Sequence, residues 1–380
     1  MGPLKGYKII ELAGIGPAPI AGMILADLGA DVILVERKGA NPNASSIDPS
    51  TFVSTAFFKR GKRSITLDLK DPDSVALVMT LIADADMLVE GFRPGVMERL
   101  GLGPEECFLQ NPALVYGRMT GWGQDGPLSQ TAGHDLNYIS LSGAMHYCGM
   151  PGDKPFPTAT MVGDIGGGSM HLVLGMVAAL LHVQKTGEGQ VIDAAVCDGT
   201  AYMMTLFASL YSQGIIGDER GGDFFTAGSH FCNTYLCSDG NYITVQALEP
   251  NFYRELIERC GFADDPDFQQ QDNKDTWPVA KAKMTALFAS RSRDHWRELL
   301  EGSDACFAPV LSLKEASDHP HNIARNNFVV RDGHQQPAPA PKFSKTPMQA
   351  GNVPIAGQHT DEIMQQAGLS DDKIAALLNQ

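Results

Sequence analysis

The sequence predicts an α/β protein in which an open parallel sheet is followed by a smaller α+β domain. Three observations support this. Residues 7–36 read as a strand (YKIIEL), a Gly-Pro turn, a helix and a second strand (DVILVE), which is a β-turn-α-β unit. Strands and helices then alternate as far as residue 119. Beyond residue 214 the pattern changes to a hairpin followed by helices.

Each element of the first region has its own signal. Short apolar runs predict strands at residues 7–12, 31–36, 64–69, 87–90, 114–119 and 190–195. Helical patterns follow at residues 19–28, 74–83, 96–100 and 200–213. A glycine-rich loop at 163–169 is predicted to lead into an apolar helix at 170–185. The apolar run of that helix is shorter than the ~18–20 residues needed to cross a bilayer, which predicts a buried helix.

The second region begins with a hairpin around an Asp-Gly-Asn turn, with strands at 235–237 and 242–246. Helices are predicted at 252–260, 278–289, 293–301 and 360–366, and the Pro/Ala-rich stretch 337–341 is expected to be extended. These signals predict a large domain at 1–200, a small α+β domain at 225–320 and a C-terminal segment at 321–380.

Composition excludes several classes of protein. The chain has 380 residues, of which 43% are hydrophobic and 19% charged, so it can bury a sizeable core. With 29 basic and 44 acidic residues, its net charge of −15 disfavours binding to nucleic acid or to an anionic membrane. A local cluster of cations still allows an anionic small molecule.

Cysteine usage and the chain ends bear on location and on metals. The seven cysteines form no CxxC pair, so neither a disulfide framework nor a structural zinc site is expected. The N-terminal residues do not match the pattern of a signal peptide, and the last three residues do not match a Ser-Lys-Leu peroxisomal signal, so neither address is expected. A cytoplasmic location is therefore expected.

The first strand–turn–helix corner partly matches a dinucleotide-binding fingerprint. Gly14 and Gly16 follow a strand, and Glu36 lies where a ribose-binding acid would be found. The third glycine position is occupied by Pro19, however, and Pro17 and Pro19 both lack the amide donors that would bind a pyrophosphate. The sequence therefore favours a structural corner over NAD binding.

Several cations are expected near strand ends, where ligands of parallel sheets bind. Arg37 ends the second strand and is suited to a phosphate. Arg93 and Arg99 flank Pro94. The run of Lys59, Arg60, Lys62 and Arg63 has two interpretations: a solvated basic surface, which is favoured for the run alone, or part of a polyphosphate site.

Three motifs contain candidates for proton transfer. His134 lies in a GHDLNY loop that enters a helix, and imidazole has a pKa suited to proton transfer near neutrality. A structural role is the alternative for a single histidine. Asp164 lies in GDIGGG before a long helix, where a carboxyl group is either a helix cap or, beside glycines that let a ligand approach, a base or a nucleophile. Glu249 in LEPNFY is either a solvated helix-entry residue or a carboxylate that orients the imidazole.

These motifs resemble the α-methylacyl-CoA racemases of the family III CoA-transferase (CaiB/BaiF) superfamily. The resemblance rests on AGHDLNY, GDIGGG and LEPNFY, and it is extended by ELAGIGPAP, GKRSITLDLK, GFRPGVMERLGLGP, TGEGQVIDA, DACFAPVL and GQHTDEI. Each motif is short, but together they follow the family's order over nearly the whole chain.

The resemblance implies a Rossmann-like large domain, a small domain, a C-terminal segment that returns to the large domain, and an interlocked homodimer. It implies that His134 and Asp164 transfer the proton and that Glu249 hydrogen-bonds the histidine. The implied contacts to coenzyme A (CoA) are Arg37, Leu67, Asp68, Leu69, Lys70, Gly91, Phe92, Arg93, Arg99, Gly133, Asp135, Leu136, Asn137 and Tyr138.

The implied reaction interconverts (R)- and (S)-2-methylacyl-CoA by two-base proton transfer through an enolate, with CoA as part of the substrate and no metal or redox cofactor. The Gly166–Gly168 amides are expected to stabilise the enolate. The main rival is a CoA-transferase in which Asp164 is the nucleophile, and a third possibility is a non-catalytic CoA-binding protein. Residues 221–228 (GGDFFTAG) depart from the racemase pattern, in which a proline often follows the glycine pair, and could reshape the acyl site.

Overall fold

The computed structural model describes residues 2–39 and 55–379, and it divides into two compact units. The first contains Met1–Ser142, Thr158–Met203 and Pro320–Gln380. The second contains Gly143–Pro157 and Met204–His319. Compared with the predicted boundaries at 1–200, 225–320 and 321–380, the second unit gains the segments 143–157 and 204–224.

Hydrogen bonds between these two segments explain why they belong together. The Arg220 guanidinium donates to the His146 carbonyl at 2.8 Å, and it also donates to the Asp153 carbonyl. The His146 ring Nε2 lies 2.7 Å from the Asp218 carbonyl. These contacts join positions more than 60 residues apart in the chain, which no local pattern reveals.

The first unit is built on a six-stranded parallel sheet. Its strands are β1 (Lys8–Leu12), β2 (Asp31–Arg37), β3 (Arg63–Leu67), β4 (Met87–Glu90), β5 (Val115–Thr120) and β6 (Gln190–Ala195). Their order is β3-β2-β1-β4-β5-β6, the doubly wound arrangement, with Ile10 of β1 opposite Ile33 of β2 and Leu88 of β4. The predicted strands are confirmed, with ends that differ by no more than two residues.

Helices cover both faces of this sheet. They are α1 (Pro17–Asp27), α2 (Pro72–Ala83), α3 (Val96–Arg99), α4 (Pro104–Gln110), α5 (Asp135–Leu141), α6 (His171–Thr186) and α7 (Val196–Met203). One apolar core lies on the α2 side and includes Leu77 and Ile82. The other lies on the α1 and α6 side and includes Leu25 and Met176. Burial on both faces explains why the strands read as continuous apolar runs.

The region before α6 differs from its prediction. Instead of a glycine-rich loop at 163–169, the structure has a π-helix, Met161–Met170, that continues directly into α6. By length and composition alone, Met161–Thr186 could cross a membrane. Leu172 and Leu180 of α6 are buried against the sheet, whereas Leu174 and Leu181 are more than half exposed. The predicted burial therefore applies to one face of the helix only.

The second unit contains a three-stranded antiparallel sheet and five helices. The helices and strands, in chain order, are α8 (Thr205–Ser212), β7 (Cys232–Leu236), β8 (Tyr242–Gln246), α9 (Pro250–Arg259), α10 (Trp277–Phe288), α11 (Arg293–Leu300), β9 (Phe307–Pro309) and α12 (Leu313–Asp318). The sheet order is β7-β8-β9, which confirms the predicted hairpin. An aromatic core that includes Phe231, Tyr253 and Trp277 fills the space between sheet and helices.

The C-terminal part of the first unit follows. It comprises α13 (Pro320–Ala324), the hairpin strands β10 (Phe328–Arg331) and β11 (His334–Pro337), α14 (Thr360–Gln366) and α15 (Asp371–Asn379). Ile363, Met364 and Ile374 join the core on the α2 side of the large sheet. The backbone of His359 also pairs with Ser64 of the edge strand β3 at 2.9 Å, so this segment covers an otherwise open sheet edge.

Candidate active site

The residues predicted to bind CoA lie largely at one edge of the large sheet. Arg37 ends β2, Leu67 ends β3, and the segment 91–93 follows β4. In a parallel sheet the carboxyl ends of the strands share an edge, and the change of direction between β1 and β4 opens a crevice there. Arg37 and Arg93 are exposed, as are Asp68, Lys70 and Arg99, whereas the Leu67 side chain belongs to the core. Exposed cations at this edge are what a phosphorylated ligand requires.

A buried carboxylate holds the loop after β4 in place. Glu90 is fully buried, and its Oε2 accepts a hydrogen bond from the Phe92 amide at 2.7 Å. Its Oε1 accepts from Arg118 Nε at 2.9 Å. Gly91 lies close to Ala18, where an added Cβ would come within 3.0 Å of the Ala18 side chain. The Gly91–Phe92–Arg93 loop is therefore fixed from both sides before any ligand binds.

The basic run at 59–63 fits neither of the interpretations drawn from the sequence, because it forms buried or partly buried ion pairs. Lys59 contacts Glu36 at 2.5 Å, Arg60 contacts Asp27 at 2.5 Å, Lys62 contacts Glu11 at 2.6 Å and Arg63 contacts Asp31 at 2.6 Å. Burial raises the pKa of Glu11 and lowers that of Lys62. Burial of such charges is tolerated only when they are paired, so this run is structural.

The same contacts bear on whether the first strand–turn–helix corner could bind a dinucleotide. The Glu36 carboxylate accepts hydrogen bonds from Lys59 Nζ and from Ser64 Oγ, each at 2.5 Å, and is buried. It is therefore engaged where a ribose-binding acid would have to be free. Gly16 adopts a positive φ of 73° at the start of α1 and is followed by Pro17 in the first turn, so the corner is a tight turn as the sequence favoured.

His134 begins helix α5 and is exposed. Its backbone amide donates to Asn137 Oδ1 at 3.0 Å, which fixes the start of the helix. Tyr138 packs edge-on against Trp122, with ring centroids 4.7 Å apart, and its hydroxyl donates to the Gly133 carbonyl. These contacts fix the start of α5, so the GHDLNY motif holds the His134 imidazole at an accessible helix N-terminus.

Asp135, the next residue, makes a buried contact of its own. The resemblance implies that this residue contacts CoA, and its side chain is only 4% exposed. Its Oδ1 accepts a hydrogen bond from the Asp164 backbone amide at 2.8 Å. Its Oδ2 is buried and has no hydrogen-bond partner within the described residues. Its position directly after His134 was visible in the sequence, but its contact with Asp164 was not.

Asp164 lies on the π-helix and lines a cleft of about 210 Å³. The cleft is bordered by Ile15, Gly16, Ile20 and Phe58, with Glu11 and Lys59 among its polar residues. Burial raises the pKa of the Asp164 carboxyl from its ordinary value to about 6. The Asp135 charge also raises this pKa, and the nearby His134 opposes the increase. A carboxyl with such a pKa can exchange a proton near neutrality.

The glycines of the GDIGGG motif serve packing. An added Cβ at Gly163 would lie 2.2 Å from Asp135 Oδ1, one at Gly167 would lie 2.2 Å from Thr200 Oγ1, and one at Gly168 would lie 2.9 Å from Pro17. The expectation that the Gly166–Gly168 amides stabilise an enolate is wrong, because a π-helix directs each amide to the carbonyl five residues earlier. Their absent side chains let helices α1, α5 and α7 approach closely.

The second unit contains Glu249 and a buried histidine that the sequence did not single out. Glu249 is exposed at the start of α9. His230 is fully buried, and its Nε2 lies 2.7 Å from Tyr253 Oη, which donates to the Phe268 carbonyl at 3.0 Å. Burial lowers the pKa of His230 to about 4. Tyr253 belongs to the LEPNFY motif, so part of that motif is structural.

Comparison with known proteins identifies the family. The sequence profile of CoA-transferase family III matches residues 4–360. The chain belongs to this family. It is 39% identical to the α-methylacyl-CoA racemase of Mus musculus over 378 residues, which covers 98% of this chain and 96% of the mouse protein. Succinyl-CoA:glutarate CoA-transferase of Mus musculus is 31% identical over 389 residues, with 96% of this chain and 86% of that protein covered.

A solved structure supports the family assignment of the fold. A CaiB/BaiF family protein from Brucella suis has a TM-score of 0.81 and 28% identity, and the match covers 96% of this chain and 99% of that one. The family resemblance drawn from the motifs is therefore confirmed. Within the described residues, no group of three or more His, Cys, Asp or Glu side chains is arranged to hold a metal ion.

Proposed function

We propose that this family III protein is a racemase that interconverts (R)- and (S)-2-methylacyl-CoA thioesters. The observation that carries the proposal is the Asp164 carboxyl, which has a pKa near 6 and lies close enough to His134 for the two charges to interact. Two different proton carriers at one site match a reaction that removes a proton from one face of a carbon and adds one to the other. The identity to an α-methylacyl-CoA racemase supports the same reaction.

The reaction needs one group in each protonation state. For one enantiomer, ionised Asp164 takes the α-proton and protonated His134 returns a proton to the opposite face. For the other enantiomer the two groups exchange roles. The intermediate is an enolate, whose negative charge is spread onto the thioester oxygen. In the first turn of α5 the Asn137 amide already donates to the His134 carbonyl at 2.8 Å. The Asp135 and Leu136 amides come before the first bond within the helix, and we propose that they replace the glycine amides as donors to this oxygen.

CoA supplies the binding energy that places the α-carbon. We propose that Arg37, Lys70, Arg93 and Arg99 bind its phosphates, since all four are exposed at or near one sheet edge. The other contacts implied by the resemblance remain predictions, namely Leu67, Asp68, Leu69, Gly91, Phe92, Gly133, Asp135, Leu136, Asn137 and Tyr138. Proton transfer at a thioester α-carbon is possible without a metal or redox cofactor, so we propose none.

The alternative is CoA transfer, with Asp164 as a nucleophile that forms an acyl-enzyme. Relatives with transferase names make this the rival to test. Two features favour proton transfer. The Asp135 carboxylate beside Asp164 raises its proton affinity, which suits a group that must be protonated in half of the catalytic cycle. His134 has no role in carboxylate attack, whereas racemisation requires a second proton carrier.

We also propose that two chains form a homodimer. Several large apolar side chains remain more than half exposed in the single chain, including Leu174, Leu181, Tyr202 and Leu206. Exposed apolar surface of this kind is typical of contacts between subunits. Light scattering after gel filtration would give twice the chain mass for a dimer, and the mass of one chain would contradict it.

We also propose a cytoplasmic location for the protein. All seven cysteines are unpaired, and unpaired thiols are usual in a reducing compartment.

The deciding experiment uses one enantiomer of a 2-methylacyl-CoA in D₂O without any acceptor acid. A racemase gives deuterium at the α-carbon and both epimers, which NMR and chiral analysis detect. A transferase gives neither result. In a second reaction with an added carboxylic acid, a transferase moves CoA to that acid, and a trapped intermediate carries the acyl group on Asp164. Exchange in the absence of an acceptor would support the proposal, and transfer without exchange would overturn it.

A further inference from the structure

The π-helix before α6 gives Asp164 an unusual hydrogen-bonding pattern. Thr160 precedes the first turn, and its carbonyl accepts from the Ile165 amide, five residues on, at 3.2 Å. In an α-helix starting at the same residue, that carbonyl would accept from the Asp164 amide, four residues on. The π register therefore leaves the Asp164 amide free, and it donates to Asp135 Oδ1 at 2.8 Å.

The Asp135 carboxylate depends on this register. Asp135 is 4% exposed, and its Oδ2 has no hydrogen-bond partner within the described residues. If the helix changed to an α register, the Asp164 amide would donate to the Thr160 carbonyl instead. Asp135 Oδ1 would then lose its donor, and both oxygens of the carboxylate would lack one within the described residues. Leaving a buried carboxylate without donors is costly. The π register and the pairing of Asp135 with Asp164 therefore require each other.

Two side chains at the end of the π-helix bond back to carbonyls five residues earlier. The His171 ring Nδ1 lies 2.8 Å from the Gly166 carbonyl oxygen, and because a carbonyl only accepts, Nδ1 carries the hydrogen. Ser169 Oγ lies 3.0 Å from the Asp164 carbonyl oxygen and 2.8 Å from that of Pro17. Side chains in α-helices reach carbonyls three or four residues back, so these five-residue contacts favour the π register.

We propose that His171 is a positioning residue that, together with Ser169, selects the π register and so keeps the Asp164 amide on Asp135. This holds two carboxylates side by side, with Asp164 facing the cleft. His171 acts on the reaction only through this backbone arrangement. The inference rests on the proposed racemase function for its kinetic consequences, but the hydrogen-bonding arrangement itself can be measured independently.

The surroundings of Asp164 define what the kinetics should show. The charged and titratable groups facing it are Asp135 and His134 at the start of α5, Tyr138 in the same helix, and Glu11, Glu36 and Lys59 around the cleft. Only Asp135 is tied to the π register by a hydrogen bond to the Asp164 amide. Loss of the register should therefore separate the two carboxylates and bring the pKa of Asp164 down from about 6.

The test compares His171→Ala with the wild type and with a matched control, His182→Ala, which alters an exposed histidine of the same helix. With each enantiomer of 2-methyldecanoyl-CoA in D₂O, His171→Ala should lower kcat about tenfold while KM changes less than twofold, because a displaced base slows proton transfer. For the enantiomer that uses Asp164 as base, the acid limb of the pH profile should move to lower pH. The control should match the wild type.

Combining His171→Ala with Asp135→Asn tests the route of the effect. If His171 acts through the carboxylate pair, the double variant should show the same acid limb as Asp135→Asn alone. Independent shifts that add would overturn the proposal, as would a wild-type kcat and pH profile in His171→Ala. If His171→Ala does not fold, Ser169→Ala removes only a hydroxyl and is judged by the same measurements.

A second measurement separates this proposal from the proposed function. Hydrogen–deuterium exchange of the peptide containing Met161–Met170 reports on the amide bonds without any turnover. Faster exchange in His171→Ala than in both wild type and His182→Ala supports the positioning role, even if no acyl-CoA is racemised. Equal exchange in all three proteins overturns it, whatever reaction the protein catalyses.

Discussion

The Asp135→Asn substitution should lower the pKa of Asp164 while leaving its position unchanged. The Asn side chain still offers Oδ1 to the Asp164 amide, which Asp135 now binds at 2.8 Å, but it removes the neighbouring negative charge. The pKa of Asp164 is raised from 3.8 to about 6 by burial first and by Asp135 second. Removing the second cause should lower this pKa, and each tenfold loss in the proton affinity of Asp164 corresponds to about 1.4 kcal/mol.

The assay follows α-proton exchange in D₂O between pH 4.5 and 8.5 for the enantiomer whose proton Asp164 removes. Because pH 5 lies below the wild-type pKa of about 6, a tenfold loss in the proton affinity of Asp164 would raise its ionised fraction about fivefold at that pH. Exchange by Asp135→Asn should therefore fall less steeply with acid than exchange by the wild type. Above pH 7 it should be equal or slower, because the carboxylate has become a weaker base.

A matched control is Asp361→Asn, which neutralises an exposed carboxylate in the first turn of α14 and should leave the profile unchanged. If the acid limbs of Asp135→Asn and wild type coincide, Asp135 does not raise the proton affinity of Asp164 and this reasoning is wrong. A circular dichroism spectrum and a melting curve for each variant would show that the fold is intact.

Three further predictions concern the proton carriers, the phosphate site and stability. His134→Ala and Asp164→Ala should each slow racemisation at least ~10²-fold, and full activity in either variant would refute the two-base assignment. Arg37→Ala should raise KM for the acyl-CoA more than it lowers kcat, and an unchanged KM would remove Arg37 from the phosphate site. Because burial lowers the pKa of His230 to about 4, the unfolded chain binds a proton below pH 6.5 that the folded chain does not. The free energy of unfolding, measured by denaturant titration, should therefore fall by up to roughly 3 kcal/mol between pH 6.5 and 4, and His230→Gln should reduce that loss.

The strands of the large sheet could be predicted because they are buried on both faces. Runs such as DVILVE contain little but apolar side chains, and turns rich in glycine and proline separate them from helices. The hairpin of the second unit was equally visible, since the Asp-Gly-Asn turn directs the chain back on itself. In these places the local pattern and the tertiary environment agree.

Prediction failed where a residue's partner is distant in the chain. The run of cations at 59–63 favours a solvated surface, because most charged runs are exposed to water. In the structure, however, Lys62 pairs with Glu11, which lies 51 positions away. The GDIGGG segment read as a loop because glycines disfavour helices. Helices packed against Gly167 and Gly168 make the absence of side chains an advantage there.

The sequence by itself determined the fold class, the order of the strands along the chain, the family and the identity of His134, Asp164 and Glu249 as candidates. Those properties follow from local periodicity and from short motifs. Only the tertiary structure decided which charges are buried as pairs, that the segment before α6 is π-helical, and that Asp135 binds the Asp164 amide across 29 positions. The physical reason is that burial and electrostatic coupling depend on distances in space, and these arise only when the sheet and its helices pack together.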